Sequence, residues 1–166
     1  MHKFSILAIT LIGLSTLLTG CFENPSWVYE GAPVVELKND RAGFATQPTN
    51  NVANTIRART VRQGILRDSI LVQLVGPHQP TQTDVSYTIN TTSTAVEGTN
   101  FSVIGTKGQV TIPANSSFGF IKFQFLPGIP ASAPATQTVT LAITLTGNSA
   151  ILPSENYKTF TYTIRN

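Results

Sequence analysis

The chain contains few of the residues from which active sites are usually built. It has one cysteine, one tryptophan and two histidines, and only 11% of its residues are charged. A single cysteine forms no internal disulfide, so the fold must rely on an apolar core. His78 is the only histidine beyond the N-terminal segment, and it stands between Pro77 and Pro80 in a predicted loop. A lone loop histidine is typical of a solvated side chain, and no serine stands in a glycine elbow, so nucleophilic catalysis is not expected.

Acidic residues are also few, and they are scattered. No Asp or Glu occurs between Glu97 and Glu155. Glycoside hydrolysis needs two convergent carboxylates, and here the candidates stand at predicted turns and strand ends, without aromatic neighbours spaced as in a sugar cleft. These candidates are Glu30, Glu36, Asp40, Asp68, Asp84, Glu97 and Glu155. We interpret each as a solvated surface charge, and we expect no enzymatic activity, no cofactor and no bound metal.

The N-terminus has the layout of an export signal. A short start with one lysine, residues 1–3, precedes an apolar run from Phe4 to Leu18. This order of segments is typical of a secretory signal peptide. A membrane-spanning helix needs about 20 apolar residues, and this run is shorter and ends at small residues instead of a basic cluster. We therefore predict export, not a spanning helix.

The end of this run, Leu18-Thr19-Gly20-Cys21, resembles the bacterial lipobox. The resemblance implies cleavage between Gly20 and Cys21, a diacylglyceryl group on the Cys21 thiol and a further acyl chain, such as palmitate, on the freed amine. Two or more acyl chains anchor a protein stably. Phe22 follows in place of the Asp that retains such lipoproteins at the inner membrane, which implies the outer membrane, at its periplasmic face or on the cell surface. The alternative is an ordinary signal peptide with a cysteine there by chance.

The predicted organisation has three parts: a signal peptide over residues 1–20, the lipidated cysteine and a flexible tether over 21–33, and one domain over 34–166. Loss of Lys3 with the signal leaves ten Lys and Arg against eight Asp and Glu, a net charge of +2. So small a charge does not indicate nucleic-acid binding. Four arginines lie close together, and we predict a solvated strand face or, alternatively, a contact with an anion or a lipid headgroup. They are Arg57, Arg59, Arg62 and Arg67.

Three aromatic residues are candidates for ligand contact. Trp27 and Tyr29 stand on the tether, and Tyr157 precedes the last predicted strand. Exposed aromatic rings could stack on sugars. Alternatively, the two tether residues pack on the domain or rest at the membrane interface.

Beyond the tether, apolar residues alternate with Thr, Ser and other polar residues at a period of two, which indicates half-buried strands. The predicted strands are Val34–Leu37, Ile70–Val75, Val85–Asn90, Gly108–Ile112, Phe118–Phe125, Thr138–Thr146 and Thr159–Ile164, with another beginning at Phe101. Ile70–Val75 is apolar on both faces except for Gln73, which favours a central position. Clusters of Gly, Pro and Asn separate these strands, and no helical stripe follows the signal. The fold is therefore predicted to be an all-β antiparallel sandwich.

One predicted strand changes phase. Phe118 and Phe120 share one parity, whereas Ile121, Phe123 and Phe125 share the other. A β-bulge at Gly119 would let all five side chains point inward.

From Ser69 onward, the order of elements resembles the Calx-beta type of immunoglobulin-like sandwich and small Bacteroidetes lipoprotein domains. Three segments carry the resemblance: Asp84–Ile89, the Thr-Ala-Val-Glu-Gly hairpin within Thr94–Phe101, and Gly108–Asn115. Gly98 and Asn115 are expected in left-handed turn conformations. Calcium-binding members of the family carry an acidic run after the strand equivalent to Phe118–Leu126. A proline-rich loop replaces it here and Asn100 replaces the usual Asp or His, so no family-type calcium site is expected.

The expected function is that of a lipid-anchored, non-enzymatic interaction or accessory module of the cell envelope. Its sharper form is glycan binding in a polysaccharide-uptake system. The alternative is a structural or pilus-like subunit that pairs through edge strands such as Lys158–Arg165. The expected partners are the membrane, through the lipid on Cys21, and a glycan or an envelope protein. The sequence leaves the oligomeric state open.

Overall fold

The structure, a computed structural model, describes residues 29–39 and 57–166. The lipobox, the rest of the signal peptide and Trp27 lie outside these residues. The described residues form ten strands and no helix. The strands are β1 Val34–Lys38, β2 Ala58–Arg62, β3 Asp68–Val75, β4 Thr83–Ile89, β5 Phe101–Ile104, β6 Gln109–Ile112, β7 Phe118–Phe125, β8 Thr138–Gly147, β9 Leu152–Pro153 and β10 Thr159–Arg165.

The strands form two five-stranded sheets, and the predicted all-β sandwich is confirmed. Sheet A has the order β5-β7-β3-β1-β9, and sheet B has the order β2-β10-β8-β4-β6. β3 is the middle strand of sheet A, as its apolar sequence predicted. All pairings in the described residues are antiparallel except β1 with β9 and β2 with β10.

β10, which contains the predicted edge strand, has neighbouring strands on both sides over most of its length. β10 pairs with β8 from Thr159 to Arg165 and with β2 from Thr161 to Arg165. The prediction that Lys158–Arg165 is an edge strand is therefore wrong. The cause is β2: the arginine cluster indicated a strand face in this region, but nothing in the sequence showed that this strand pairs with β10.

The core lies between the sheets and follows the period-two pattern. Inward residues of β8 and β10 are fully buried, among them Leu141, Ile143 and Tyr162. Five aromatic rings meet at its centre, with centroid separations from 4.9 to 6.3 Å. They are Phe101, Phe123, Phe125, Phe160 and Tyr162. Edge-to-face and offset pairs of this kind stabilise a core beyond the area that they bury.

The turn predictions also hold. Gly98 has φ of 79° and Asn115 has φ of 56°, both in the left-handed region. Asn100 is buried, and its Oδ1 accepts the Val96 backbone N–H at 2.8 Å. Asn100 thus closes the hairpin around Gly98 by its own hydrogen bond.

The predicted bulge at Gly119 is wrong. β7 pairs with β3 in unbroken register from Phe118 to Phe123. Gly119 therefore points inward, and its neighbours Phe118 and Phe120 point outward. A bulge does occur elsewhere, between Ser86 and Tyr87 of β4 where it pairs with β8. The inward position of Gly119 suits a glycine because β6 crosses directly over it: a Cβ at Gly119 would lie 2.7 Å from the Thr111 backbone oxygen.

We expect Gly119→Ala to lower the free energy of unfolding by about 1–3 kcal/mol, because the added methyl group would push two backbones apart. Urea unfolding monitored by circular dichroism measures the change. Lys122→Ala, on the exposed face of the same strand, is the control and should change stability by less than about 0.5 kcal/mol. Equal effects of the two substitutions would contradict the close crossing of β6 and β7.

The arginine cluster does not form one solvated face. Arg57 and Arg62 are exposed, but the Arg59 residue is only 3% exposed and lies between the sheets. Arg59 forms an ion pair with Asp68, which is also buried, and donates to Asn39 Oδ1. Its guanidinium also lies 5.8 Å from the centre of the Tyr162 ring. The predictions that Arg59 and Asp68 are solvated charges are wrong, because the two charges neutralise each other inside the sandwich.

Candidate binding surface

The outer face of sheet A exposes two phenylalanines. Phe118 and Phe120 are 47% and 45% exposed, whereas the other phenylalanines of the described residues are buried. An exposed pair of phenylalanines is unusual where the other described phenylalanines are buried, and such a surface commonly marks an interaction site. We call Phe118, Phe120 and Lys122 the β7 row.

The β7 row is straight and has polar neighbours. Alternate residues of a strand share one face and stand about 6.6 Å apart, so the row extends about 13 Å from first to last Cα. Gln73 of β3 lies opposite Phe118 and Ser69 lies opposite Lys122. The row therefore offers ring faces with hydrogen-bonding side chains beside them.

A groove of about 400 Å³ lies along the same residues. Its walls are the end of β5, the open side of β6 and the β7 row, because β5 pairs with β7 only from Lys122 onward. Gln109, Thr111 and the buried Tyr87 also line it. Burial raises the pKa of Tyr87 above its usual value of 10.0, so the phenol keeps its proton at neutral pH.

A second cavity, of about 520 Å³, lies at the Lys122 end of the row. Arg67, Ser69, Ile104 and Lys122 line it together with Asp68, whose carboxylate is engaged by Arg59. Ile104 and Lys122 line both the groove and this cavity. The two depressions therefore adjoin each other at Ile104 and Lys122.

The aromatic residues singled out in the sequence lie elsewhere. Tyr29 is 43% exposed, and its hydroxyl donates to the Ala32 carbonyl at 2.8 Å. Tyr157 is half-buried, and its carbonyl accepts the Leu37 N–H near the other end of β1. Neither tyrosine lines the groove beside the β7 row. The structure therefore does not bring the described candidates together into one site, and Trp27 is outside the described residues.

The described part of the chain holds no group of three His, Cys, Asp or Glu side chains that could bind a metal ion. Its carboxylates are mostly engaged singly: Glu36 with Lys38, Glu97 with Lys107, and Glu155 with Lys158. Asp84 accepts a hydrogen bond from the Thr111 hydroxyl at 2.5 Å. His78 is exposed, as expected for a loop residue.

In residues 29–39 and 57–166, no helix has the length and apolar character needed to cross a bilayer.

Sequence reasoning missed the β7 row because it assumed that every phenylalanine of a strand must be buried. The signal was present in the sequence: Phe118, Phe120 and Lys122 alternate with Gly119, Ile121 and Phe123. Taken at face value, a period of two places the first set on the outer face. The glycine, which removes a side chain from the inner face, suggested a bulge instead.

The described residues thus define a β-sandwich with an aromatic outer face on one sheet. Comparison with protein-family models and with curated proteins finds no match to the chain. Among solved structures, it is similar to a two-domain protein of unknown function from Bacteroides fragilis, with a TM-score of 0.53 and 9% identity. That match covers 81% of this chain and 45% of the other.

A second similar structure is a protein of unknown function from Bacteroides ovatus, with a TM-score of 0.50 and 11% identity over 80% of this chain and 51% of the other. The chain therefore spans about half the length of each of these proteins. At such low identities the similarity shows a shared fold, and the two sources are consistent with a Bacteroidetes origin.

Proposed function

We propose that this protein is a lipid-anchored, non-enzymatic module of the outer membrane that binds glycans through the β7 row. The observation that carries the proposal is the exposure of Phe118 and Phe120 on a strand whose other aromatic residues are buried. Anchoring rests on the lipobox-like segment that ends at Cys21. The hairpin around Gly98 and the turn at Asn115 support assignment of the sandwich to the immunoglobulin-like, Calx-beta-like class.

Glycan chemistry suits the β7 row. A pyranose ring presents C–H groups on its faces and hydroxyls around its edge, so it needs a flat aromatic surface beside hydrogen-bonding groups. Phe118 and Phe120 supply the surface, and Gln73, which lies opposite Phe118, supplies a donor and an acceptor at its margin. A row with an open groove, rather than a closed pocket, favours a chain-like ligand over a single small molecule.

The experiment is binding of the purified protein to a glycan array, followed by calorimetry with the best ligand. We expect the double variant Phe118→Ala and Phe120→Ala to weaken binding at least tenfold, because two stacking surfaces are removed. Leu152→Ala removes another exposed apolar side chain, 62% exposed on β9, and is the matched control. It should leave binding unchanged.

Two results would contradict the proposal. One is an array without any glycan ligand; the other is a ligand whose affinity is the same in the double variant and in the wild type. The double variant should remain folded, because exposed side chains on a regular strand contribute little to stability. Its circular dichroism spectrum checks this.

The second candidate is a structural or pilus-like subunit that pairs through strand edges. In the described residues, the strands at the ends of the two sheets are β2, β5, β6 and β9, and none exceeds five residues. Short edges oppose strand addition, and β10 is paired on both sides. A protein that stays monomeric at high concentration and copurifies with no envelope protein would contradict this candidate.

A further inference from the structure

We propose that the glycan bound by the β7 row is acidic, and that Lys122 and Arg67 recognise its carboxylate or sulfate groups. This inference rests on the proposed function, because it names the class of glycan for the same surface. It is carried by the charges around the second cavity, which adjoins the aromatic pair.

Lys122 differs from the other lysines of the described residues. Lys38, Lys107 and Lys158 each form an ion pair with a glutamate, at 3.2, 2.5 and 2.6 Å. Lys122 has no carboxylate partner in residues 29–39 and 57–166, although it stands on an open strand face. An exposed ammonium group without a protein anion is free to bind an anion from outside.

Arg67 adds a second cation to the same cavity. It is exposed, immediately precedes β3, and lines the cavity with Lys122. Asp68, the carboxylate next to them, is only 4% exposed and is neutralised by Arg59. The cavity therefore carries two positive charges that are not cancelled by the described residues that line it.

The order of groups along the row sets the ligand chemistry. Two ring faces come first, Lys122 follows about 7 Å beyond Phe120 by strand geometry, and Arg67 lines the second cavity together with Lys122. A ligand that satisfies both must have an apolar ring face and an anionic substituent close together. A uronic acid or a sulfated sugar has this combination, and the guanidinium and ammonium groups match its charge.

The test uses polymer pairs that differ only in charge. Polygalacturonate is compared with its methyl ester, and chondroitin sulfate with its desulfated form, by calorimetry on the purified protein. The wild type should bind one charged member about tenfold more tightly than its neutral partner. This preference should shrink when salt is raised from about 0.1 to about 1 M, since the screening length falls from about 10 to about 3 Å.

Lys122→Gln and Arg67→Gln should each reduce the preference for the charged polymer severalfold, because each lowers affinity for the charged polymer more than affinity for the neutral one. Lys158→Gln, which removes a lysine that pairs with Glu155, is the matched control and should retain the full preference. The double variant Phe118→Ala and Phe120→Ala should weaken binding of both members of a pair.

The two proposals fail in different ways. If no polymer of either pair binds the wild type, the acidic-glycan inference is overturned, and the proposed function falls with it only if the glycan array also yields no ligand. If neutral polymers bind as tightly as charged ones, or if the lysine and arginine variants keep the preference, only the acidic-glycan inference is overturned. Binding to vesicles containing phosphatidylglycerol, with no binding to the polymers, would assign the surface to the bilayer and also overturn the inference.

Discussion

Replacing Asp68 with alanine is expected to lower the free energy of unfolding by about 3–5 kcal/mol, the usual cost of removing one partner of a buried ion pair. The Arg59 and Asp68 residues are 3% and 4% exposed. Asp68 also accepts the Ser69 N–H at 2.6 Å and the Tyr162 hydroxyl at 3.4 Å. The substitution would therefore leave a charged guanidinium between the sheets without its carboxylate.

A double substitution separates the cost of leaving Arg59 unpaired from the net contribution of the ion pair to stability. Replacing both residues, Arg59→Met with Asp68→Leu, should recover most of the lost stability, because two apolar side chains of similar volume bury no uncompensated charge. Glu155→Ala breaks the exposed Lys158 pair and serves as the control, with an expected change below about 1 kcal/mol. Chemical unfolding gives all three values. A cost below about 1 kcal/mol for Asp68→Ala would show that Arg59 remains solvated.

Cys21→Ala is expected to abolish lipid attachment. In cells supplied with labelled palmitate, the wild type should incorporate the label and the variant should not, because only the cysteine thiol and the amine freed beside it accept acyl chains in the proposed maturation. When the variant also carries a signal peptide with an Ala-x-Ala cleavage site, it should move from the membrane fraction to the soluble periplasmic fraction. The replaced signal matters because an uncleaved apolar run could hold the variant at the membrane.

Ser26→Ala, a substitution in the predicted tether, is the control and should keep both label and membrane retention. Labelling of the Cys21→Ala variant equal to that of the wild type would contradict the lipobox interpretation. Because the measurement reports on the anchor, its outcome is independent of any ligand of the β7 row.

Most strands could be predicted because each obeys a local rule. The alternation of Leu141, Ile143 and Leu145 with threonines identifies both the strand and its buried face. Likewise, Gly98 and Asn115 identify turns, since few residues adopt a positive φ without strain. These properties depend on neighbours along the chain, and for this reason the fold class was correctly predicted.

The errors all concern contacts between different strands, including strands that follow one another in the chain. Nothing near Arg59 in the sequence shows that Asp68 will neutralise it inside the core, and nothing near Phe118 shows that β6 will cross over Gly119. Whether Lys158–Arg165 lies at the edge of its sheet similarly depended on β2, which pairs with it from about a hundred residues earlier in the chain.

Local alternation and turn chemistry in the sequence were sufficient to predict an all-β sandwich and the burial of most of its period-two positions. The packing of one sheet on the other decided which charges are buried and which rings stay exposed. A side chain's burial depends on the backbone that covers it, and that backbone comes from elsewhere in the chain. The β7 row is exposed for this reason: β6 packs against the inner face at Gly119, and no described strand covers the outer face of Phe118 and Phe120.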